Sequence, residues 1–382
     1  MLNRFLTIIS VAFLVGCPLT AQTQDEAMAA MVKGMTPGPQ HAELAKGAGL
    51  FAVETTITMP GLPPMTSTGE AEARMILGGR FLEVDATGSM MGMPTASKVI
   101  VGYDNTRELY FAQAMSTTST GTMNSTGRPD DEGRFVYEGT IYEFPTPEGR
   151  PFKHVNYWLD DNTQVMDVYD WIDEAWVQVV KQVWHRKVRL FDGRSLTGWT
   201  RVPLQEGSDM SATWSVEDGV LICRGKPGGY IRTDASFSNY ELELEWRWAP
   251  GSKGGNSGLL VHTSSPNELS GWPRCLEVQL QAGSAGDFWQ IGESIVVDDL
   301  ESRKNGSRNI KRTGPADVEK TLGAWNHMRV RCQGDQVRVW VNGQLVNDGR
   351  DGSANSGAIC LQSEGAEIHF RRADLVMLSG ED

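Results

Sequence analysis

Short runs of alternating apolar and polar residues recur along most of the chain, and turn-forming residues separate them. A period of two predicts β-strands, because successive side chains of a strand point to opposite faces of a sheet. A short helix is expected at 40–46, with Gly47 as its stop signal. Short connections favour an antiparallel meander that closes into a barrel. The first half is predicted to contain strands at 51–59, 70–76, 80–86, 98–103, 108–114, 134–142, 152–159, 163–170 and 176–184.

The alternation is clearest in the second half, between residues 240 and 248. Apolar residues occupy the even positions there, and the odd positions carry Glu241, Glu243, Glu245 and Arg247. Similar splits occur around 276–281, 337–342 and 359–362. A sandwich of two sheets would bury the apolar faces between its layers and leave the polar faces outside.

Composition divides the chain into two parts. Its 382 residues predict two or three domains. Thirteen of the 16 methionines lie in 1–187, whereas eight of the 12 tryptophans follow residue 187, which indicates two differently built cores. The expected domains are 35–186 and 188–382. A net charge of -13 argues against nucleic acid as a partner.

Residues 1–21 have the layout of a secretory signal. Arg4 precedes an apolar segment at 5–15, which is too short to span a membrane as a helix. The sequence LVGC at 14–17 resembles a bacterial lipobox, so lipidation of Cys17 is predicted; plain secretion and a retained anchor are the alternatives. The protein is therefore expected in the periplasm or cell envelope, with membrane contact only through a lipid.

Four further cysteines lie in the second half: Cys223, Cys275, Cys332 and Cys360. No C-x-x-C pair is present, so neither a zinc ribbon nor a thioredoxin motif is supported. Four buried thiols are expected, with one disulfide as the alternative.

Three segments of the first half, PGPQH at 37–41, GGRFLE at 78–83 and GYD at 102–104, resemble an uncharacterised bacterial family with a lipocalin-like barrel. Phe51 stands where that family usually has a tryptophan. Such a barrel can hold one small apolar ligand. The alternative is a barrel filled by side chains that serves as a spacer or docking module.

The second half contains an ordered set of motifs: LFDGRSLTGW at 190–199, WSVEDGVL at 214–221, NSGL at 256–259, EVQ at 277–279, WN at 325–326, VWVNG at 339–343 and LQ at 361–362. Together they resemble the 3-keto-disaccharide hydrolase family, a jelly-roll domain of the concanavalin-like class. The whole chain is thus expected to be all-β, with a lipocalin-like antiparallel barrel followed by a concanavalin-like jelly-roll sandwich.

The resemblance implies a carbohydrate substrate, a 3-keto-glycoside. A ketone at C3 acidifies the proton on C2, its removal expels the C1 substituent, and water can then add. This chemistry needs a base, an electrophile at the ketone oxygen and an acid. We predict Glu277 as base or metal ligand, Arg247 for the oxyanion, and Glu245 and His262 beside them. His262 could equally be structural, and a divalent ion held by His262 and Glu277 remains open.

Sugars require hydrogen-bonding side chains for their hydroxyls and aromatic rings for their C–H faces. The predicted substrate contacts are Asn256, Gln279, Trp289, Asn326, Trp340, Gln362 and Arg371. The long connection 283–323 is either a lid or a solvated loop. The leading hypothesis is an exported hydrolase or lyase of 3-keto-glycosides. A non-catalytic glycan-binding module and a structural surface protein are the alternatives.

Overall fold

A computed structural model describes residues 24–59, 61–90, 92–144, 146–264 and 271–380. The predicted signal segment and Cys17 lie outside these residues. Two helices come first, α1 at Gln24–Met35 and α2 at Pro39–Ala45, and strands dominate the rest. Among the described helices, none has the length and apolar character needed to cross a bilayer. The prediction of an all-β chain with a barrel followed by a sandwich is confirmed.

Ten antiparallel strands form a closed barrel in which each strand pairs with the next and the last pairs with the first. They are β1 Gly49–Ile57, β2 Met65–Ile76, β3 Phe81–Met90, β4 Met93–Asp104, β5 Leu109–Ser116, β6 Met123–Pro129, β7 Phe135–Glu143, β8 Thr146–Trp158, β9 Thr163–Ile172 and β10 Ala175–Arg189. The sequence predicted nine. It missed β6, whose residues MNSTGRP show no apolar alternation.

Aromatic rings fill one end of the barrel. Phe51 lies 6.4 Å from the Trp158 ring and 5.8 Å from the Trp184 ring, measured between centroids. The Arg186 guanidinium lies 5.0 Å from the centre of the Phe51 ring. Helix α2 covers this end with its buried Leu44, so Phe51 sits at the centre of an apolar cluster.

The second half is a sandwich of two eight-stranded sheets, which we call sheet I and sheet II. Sheet I has the order β12 Trp214–Glu217, β13 Val220–Cys223, β26 Ile368–Met377, β15 Tyr240–Trp248, β22 Asn326–Gln333, β23 Gln336–Val341, β24 Gln344–Arg350 and β19 Val296–Val297. Sheet II has the order β11 Trp199–Pro203, β14 Gly229–Thr233, β25 Ala358–Ser363, β16 Gly258–Thr263, β17 Cys275–Gln279, β18 Phe288–Ile291, β21 Asn309–Ile310 and β20 Lys304–Asn305. A one-turn helix, α3, spans Leu300–Arg303.

The apolar faces meet between the sheets, as the alternation predicted. Leu242, Leu244 and Trp246 of sheet I and Leu259 and Val278 of sheet II belong to one buried cluster. The four cysteines of this half are all buried and free, which agrees with the thiol prediction.

The barrel and the sandwich share backbone pairing. The last residues of β10, Lys187 to Arg189, pair with Asp374 to Val376 of β26. The predicted boundary at 186–188 thus falls inside a strand that runs from the barrel into sheet I.

Candidate functional site

A group of polar side chains lies on the outer face of sheet II, at its centre. Strands β25, β16 and β17 are adjacent there, and Gly258 lies between Gln279 and the end of β25. Just before β16, Asn256 bridges to Glu364, which follows β25. Because alternate residues of a strand share a face, these groups point away from the core. We call Asn256, Gly258, Glu277, Gln362 and Glu364 the Gly258 cluster.

Gly258 leaves space that no other residue could leave. A Cβ atom at this position would collide with Glu277 Oε1 and would lie 2.7 Å from Gln362 Oε1. The two oxygens therefore approach each other across the missing side chain. A side chain of any size at position 258 would push at least one of them away.

Burial, together with the neighbouring carboxylate of Glu364, raises the pKa of Glu277 to about 8, against a hydrogen bond with the Gln362 side chain. Only 5% of Glu277 is exposed. Burial also raises the pKa of the half-buried Glu364, against a hydrogen bond from the Asn256 side chain. Two carboxyl groups thus share one face in an environment that resists the charge of both.

Three oxygens of the cluster are buried without a hydrogen-bond partner among the described residues: Asn256 Oδ1, Glu277 Oε1 and Gln362 Oε1. An unpaired buried polar atom costs about 1–3 kcal/mol. Groups left in this state on one face are suited to a bound molecule or ion that completes their coordination.

Glu364 is the member that sequence reasoning missed. It stands two residues after Gln362, just past the end of β25, so the alternation inside the strand did not reach it. The sequence alternation could have identified it, because Glu364 lies two residues after Gln362 and alternate residues of an extended chain point to the same face.

The outer face continues toward the edge of sheet II. Trp289 is the register neighbour of Glu277, and Asn309 is the neighbour of Trp289. The buried Asn309 Oδ1 also lacks a partner within the described chain. Asp287 accepts hydrogen bonds from the Arg312 backbone N–H at 2.8 Å and from Asn309 Nδ2 at 3.3 Å. The connection 283–323 therefore supplies part of this face.

Gln279 has a structural contact as well. Its Oε1 accepts hydrogen bonds from the backbone N–H groups of Leu280 and Gln281, both at 2.9 Å. The side chain consequently fixes the turn after β17 beside the Gly258 cluster.

The rest of this face is covered. Trp272 stacks on Tyr230 with ring centroids 6.3 Å apart and an angle of 28°. Beneath them lie Leu260, Cys275 and Cys360, all buried. Trp272 and Tyr230 thus cover the part of this face that lies beyond the Gly258 cluster.

His262 does not meet Glu277. A bulge in β16 lies between Leu260 and Thr263, and His262 has a φ of 55°. Its ring packs against Tyr240 at 6.0 Å, and Nδ1 lies 3.0 Å from the Ala354 carbonyl oxygen. Glu277 is the register partner of Leu260 on the outer face, whereas the His262 ring lies against Tyr240, which belongs to the core between the sheets. The two side chains therefore do not form the metal pair that the sequence left open.

Glu245 and Arg247 also lie elsewhere, on the outer face of sheet I. Glu245 forms an ion pair with Arg371, and Arg247 Nε donates to His369 Nδ1 at 3.3 Å. The expectation that these two residues meet Glu277 in one pocket is wrong. Alternation identified the outward face of each strand correctly, but it does not tell on which of two sheets a strand lies.

The predicted substrate contacts divide in the same way. Asn256, Gln279, Trp289 and Gln362 lie on the open face of sheet II. Trp340 and Arg371 lie on sheet I, where the Arg329 guanidinium covers the Trp340 ring at 4.0 Å. Asn326 is buried, and its Oδ1 accepts a hydrogen bond from the Lys320 backbone at 2.8 Å. These three residues are apart from the Gly258 cluster.

In the described residues, no group of three or more His, Cys, Asp and Glu side chains could hold a metal ion. The cluster instead combines two carboxyl groups with two amides. Its chemistry is that of hydrogen bonding to hydroxyls, proton transfer, and oxygen coordination.

Comparison with known proteins assigns both halves. Residues 186–375 match the family described as a 3-keto-alpha-glucoside-1,2-lyase-like domain. Residues 36–186 match a protein family of unknown function, DUF1579. The C-terminal region is therefore similar to the 3-keto-alpha-glucoside-1,2-lyase-like family, and the barrel before it is similar to a family of unknown function.

One curated relative is a 3-keto-disaccharide hydrolase from Bacteroides thetaiotaomicron, 35% identical over 81 residues. The match covers 19% of this chain and 26% of that protein, so the chain spans about a quarter of the relative's length. Similar solved structures include a candidate glycosyl hydrolase from Parabacteroides distasonis, with 22% identity and a TM-score of 0.38 over 50% of this chain and 94% of that one. Another is a carbohydrate-binding module from Bacillus subtilis, with 16% identity and a TM-score of 0.33 over 46% and 94%.

Proposed function

We propose that the sandwich cleaves the glycosidic bond of 3-keto-glycosides at the Gly258 cluster. The observation that carries this proposal is the pair of carboxyl groups, Glu277 and Glu364, on one face of sheet II with unpaired buried oxygens beside them. The family match of the same region supports the substrate class.

Glu364 is the base in this proposal. It is the more accessible of the two carboxylates, and the Asn256 side chain orients it by a hydrogen bond. It removes the proton from C2, and the electron pair that this releases forms the enediolate of the C3 ketone. As the enediolate returns to a ketone, the C1–O bond breaks, and Glu364 delivers its proton to the leaving oxygen.

The remaining steps give net hydrolysis. Glu364, ionised again, takes a proton from water while the oxygen of that water bonds to C1. The proton then passes to C2, which restores the 3-keto sugar. Trp289 offers a ring against which the C–H face of the sugar can stack, next to Glu277 in register.

A pair of matched variants tests this assignment. Glu364→Gln removes the base and is expected to lower aglycone release from a 3-keto-glucoside at least 100-fold, since a general base contributes about 10²–10⁴-fold. Glu367→Gln changes the same charge three residues away, on a side chain that contacts His369, and should leave release unchanged. The unoxidised glucoside is the substrate control. Equal loss in both variants, or full activity of Glu364→Gln, would remove Glu364 from the mechanism.

A glycan-binding module is the second candidate. Four predicted sugar contacts lie on the open face, whereas three of the four predicted catalytic residues lie apart from it. Saturable binding of the keto-glucoside without any release, in a folded protein supplied with divalent ions, would favour this function.

We also propose export with a lipid on Cys17, based on the signal-like sequence alone. Metabolic labelling with a fatty acid tests it. The full-length protein is expected to incorporate label and the Cys17→Ser variant to lose it.

A further inference from the structure

The Gly258 cluster contains more hydrogen-bond acceptors than hydrogen-bond donors. Glu277 Oε1, Gln362 Oε1 and Asn256 Oδ1 are three buried oxygens that no described residue contacts through a hydrogen bond. Gln362 is only 2% exposed, and its unpaired oxygen points into the space beside Gly258. A neutral sugar hydroxyl could satisfy one or two of these atoms, but a cation satisfies several at once.

The charge of the cluster is also unbalanced. Neither Glu277 nor Glu364 forms an ion pair with any described lysine, arginine or histidine, although other acidic residues of the sandwich do so. Two ionised carboxylates on one buried face would repel each other, so they need a counter-charge to be ionised together. A bound cation would supply that counter-charge.

The donor set indicates which kind of cation fits. Carboxylate and amide oxygens are the ligands of hard cations, and Ca²⁺ accepts six to eight of them in irregular geometry with waters included. The members of the Gly258 cluster offer only oxygen and amide groups. His262 faces Tyr240, and the Cys275 and Cys360 thiols, two residues along their strands from Glu277 and Gln362, are buried beneath Trp272. This chemistry favours Ca²⁺ or a similar hard ion over Zn²⁺.

We propose that the oxygens of Glu277, Gln362 and Asn256, with Glu364 at the edge, bind one hard divalent cation in the space that Gly258 leaves. The site stands on its geometry. Its role rests on the function proposed above, because cleavage through an enediolate needs an electrophile at the ketone oxygen. Arg247, expected in that role, lies on the other sheet.

Metal binding by the full-length protein is the direct test. After removal of ions with a chelator, equilibrium dialysis against Ca²⁺ is expected to show one equivalent bound. Tb³⁺, a luminescent substitute for Ca²⁺, should give emission on excitation of tryptophan, because Trp289 neighbours Glu277. Ca²⁺ should compete this emission away.

Variants assign the site. Glu277→Gln and Asn256→Ala are each expected to weaken Ca²⁺ binding at least tenfold. Glu301→Gln, a matched change of an exposed side chain on α3, should bind as the wild type does. Asn256 is partly exposed, so its variant tests the site even where Glu277→Gln fails to fold.

The inference is overturned if the folded wild type shows no saturable binding of Ca²⁺, Mg²⁺ or Mn²⁺, or if both site variants bind as tightly as the wild type. Its failure is separable from that of the enzymatic proposal. Keto-glucoside cleavage that survives chelation, together with no ion binding, would support the enzymatic proposal and reject the cation site. Ion binding without any cleavage would support the cation site and reject the enzymatic proposal.

Discussion

Single residues determine what the open face of sheet II can do, and Gly258 is the clearest case. Its missing side chain is the reason that the oxygens of Glu277 and Gln362 can face a common space. Both groups are ends of flexible side chains, so a methyl group there would displace them without moving the backbone.

Gly258→Ala is therefore expected to lower keto-glucoside cleavage and Ca²⁺ affinity at least tenfold while the protein stays folded. Gly88→Ala is the control, because a Cβ at position 88 of β3 would meet nothing closer than 3.7 Å. Activity and thermal denaturation are measured on both. Normal cleavage by a folded Gly258→Ala protein would show that this space is not used.

A partly buried histidine in the barrel gives a second residue-scale prediction. His154 stacks on Tyr137 at 4.5 Å and contacts Ser125 Oγ through Nε2 at 3.0 Å. Burial lowers its pKa to about 4, against a hydrogen bond with Asn156. The unfolded chain, with an ordinary histidine pKa, thus binds the proton more readily than the folded one.

The contribution of His154 to stability is complete above pH 6.5 and is lost as the pH falls toward 4. Between pH 7 and pH 5 we expect the free energy of unfolding to fall by about 2 kcal/mol because of this group. His154→Gln should lack that part of the decrease in urea denaturation. Parallel pH profiles for wild type and variant would contradict the assignment.

Elements decide which residues can meet, and β10 is the element that joins the two domains. It completes the barrel by pairing with β1 and then continues beside β26 of sheet I. The connection is thus a shared strand and not a flexible linker.

Val188→Pro is expected to loosen this junction, because proline cannot donate a backbone hydrogen bond within the β10–β26 pairing. Hydrogen exchange should become faster in residues 186–190 and 373–377, with the barrel and sandwich interiors protected as before. Val180→Pro, in the part of β10 inside the barrel, is the comparison and should expose barrel strands instead. Unchanged exchange at the junction in Val188→Pro would show that the pairing does not hold the domains together.

At the scale of the whole molecule, the sequence predicted the architecture well and the site only in part. Alternation predicted which side chains of β15 and β17 point outward, because a period of two depends on the strand alone. Whether two strands belong to the same sheet depends on long-range pairing, so Arg247 and Glu277 were wrongly placed together. His262 was misplaced by a local bulge, and Glu364 was missed because it lies just beyond a strand end.

The position of the Gly258 cluster in the middle of sheet II has a consequence for how such a protein can change. Its side chains project from three hydrogen-bonded strands whose spacing the backbone fixes. Among the neighbouring groups, Trp272 lies just before β17 and Asn309 lies in the connection 283–323. Under the proposed function, insertions or exchanges around Trp272 and Asn309 would alter the shape presented to a sugar while Glu277 and Glu364 keep their places. Substrate range and chemistry would then be encoded in different stretches of the chain, and selection could act on the first without disturbing the second.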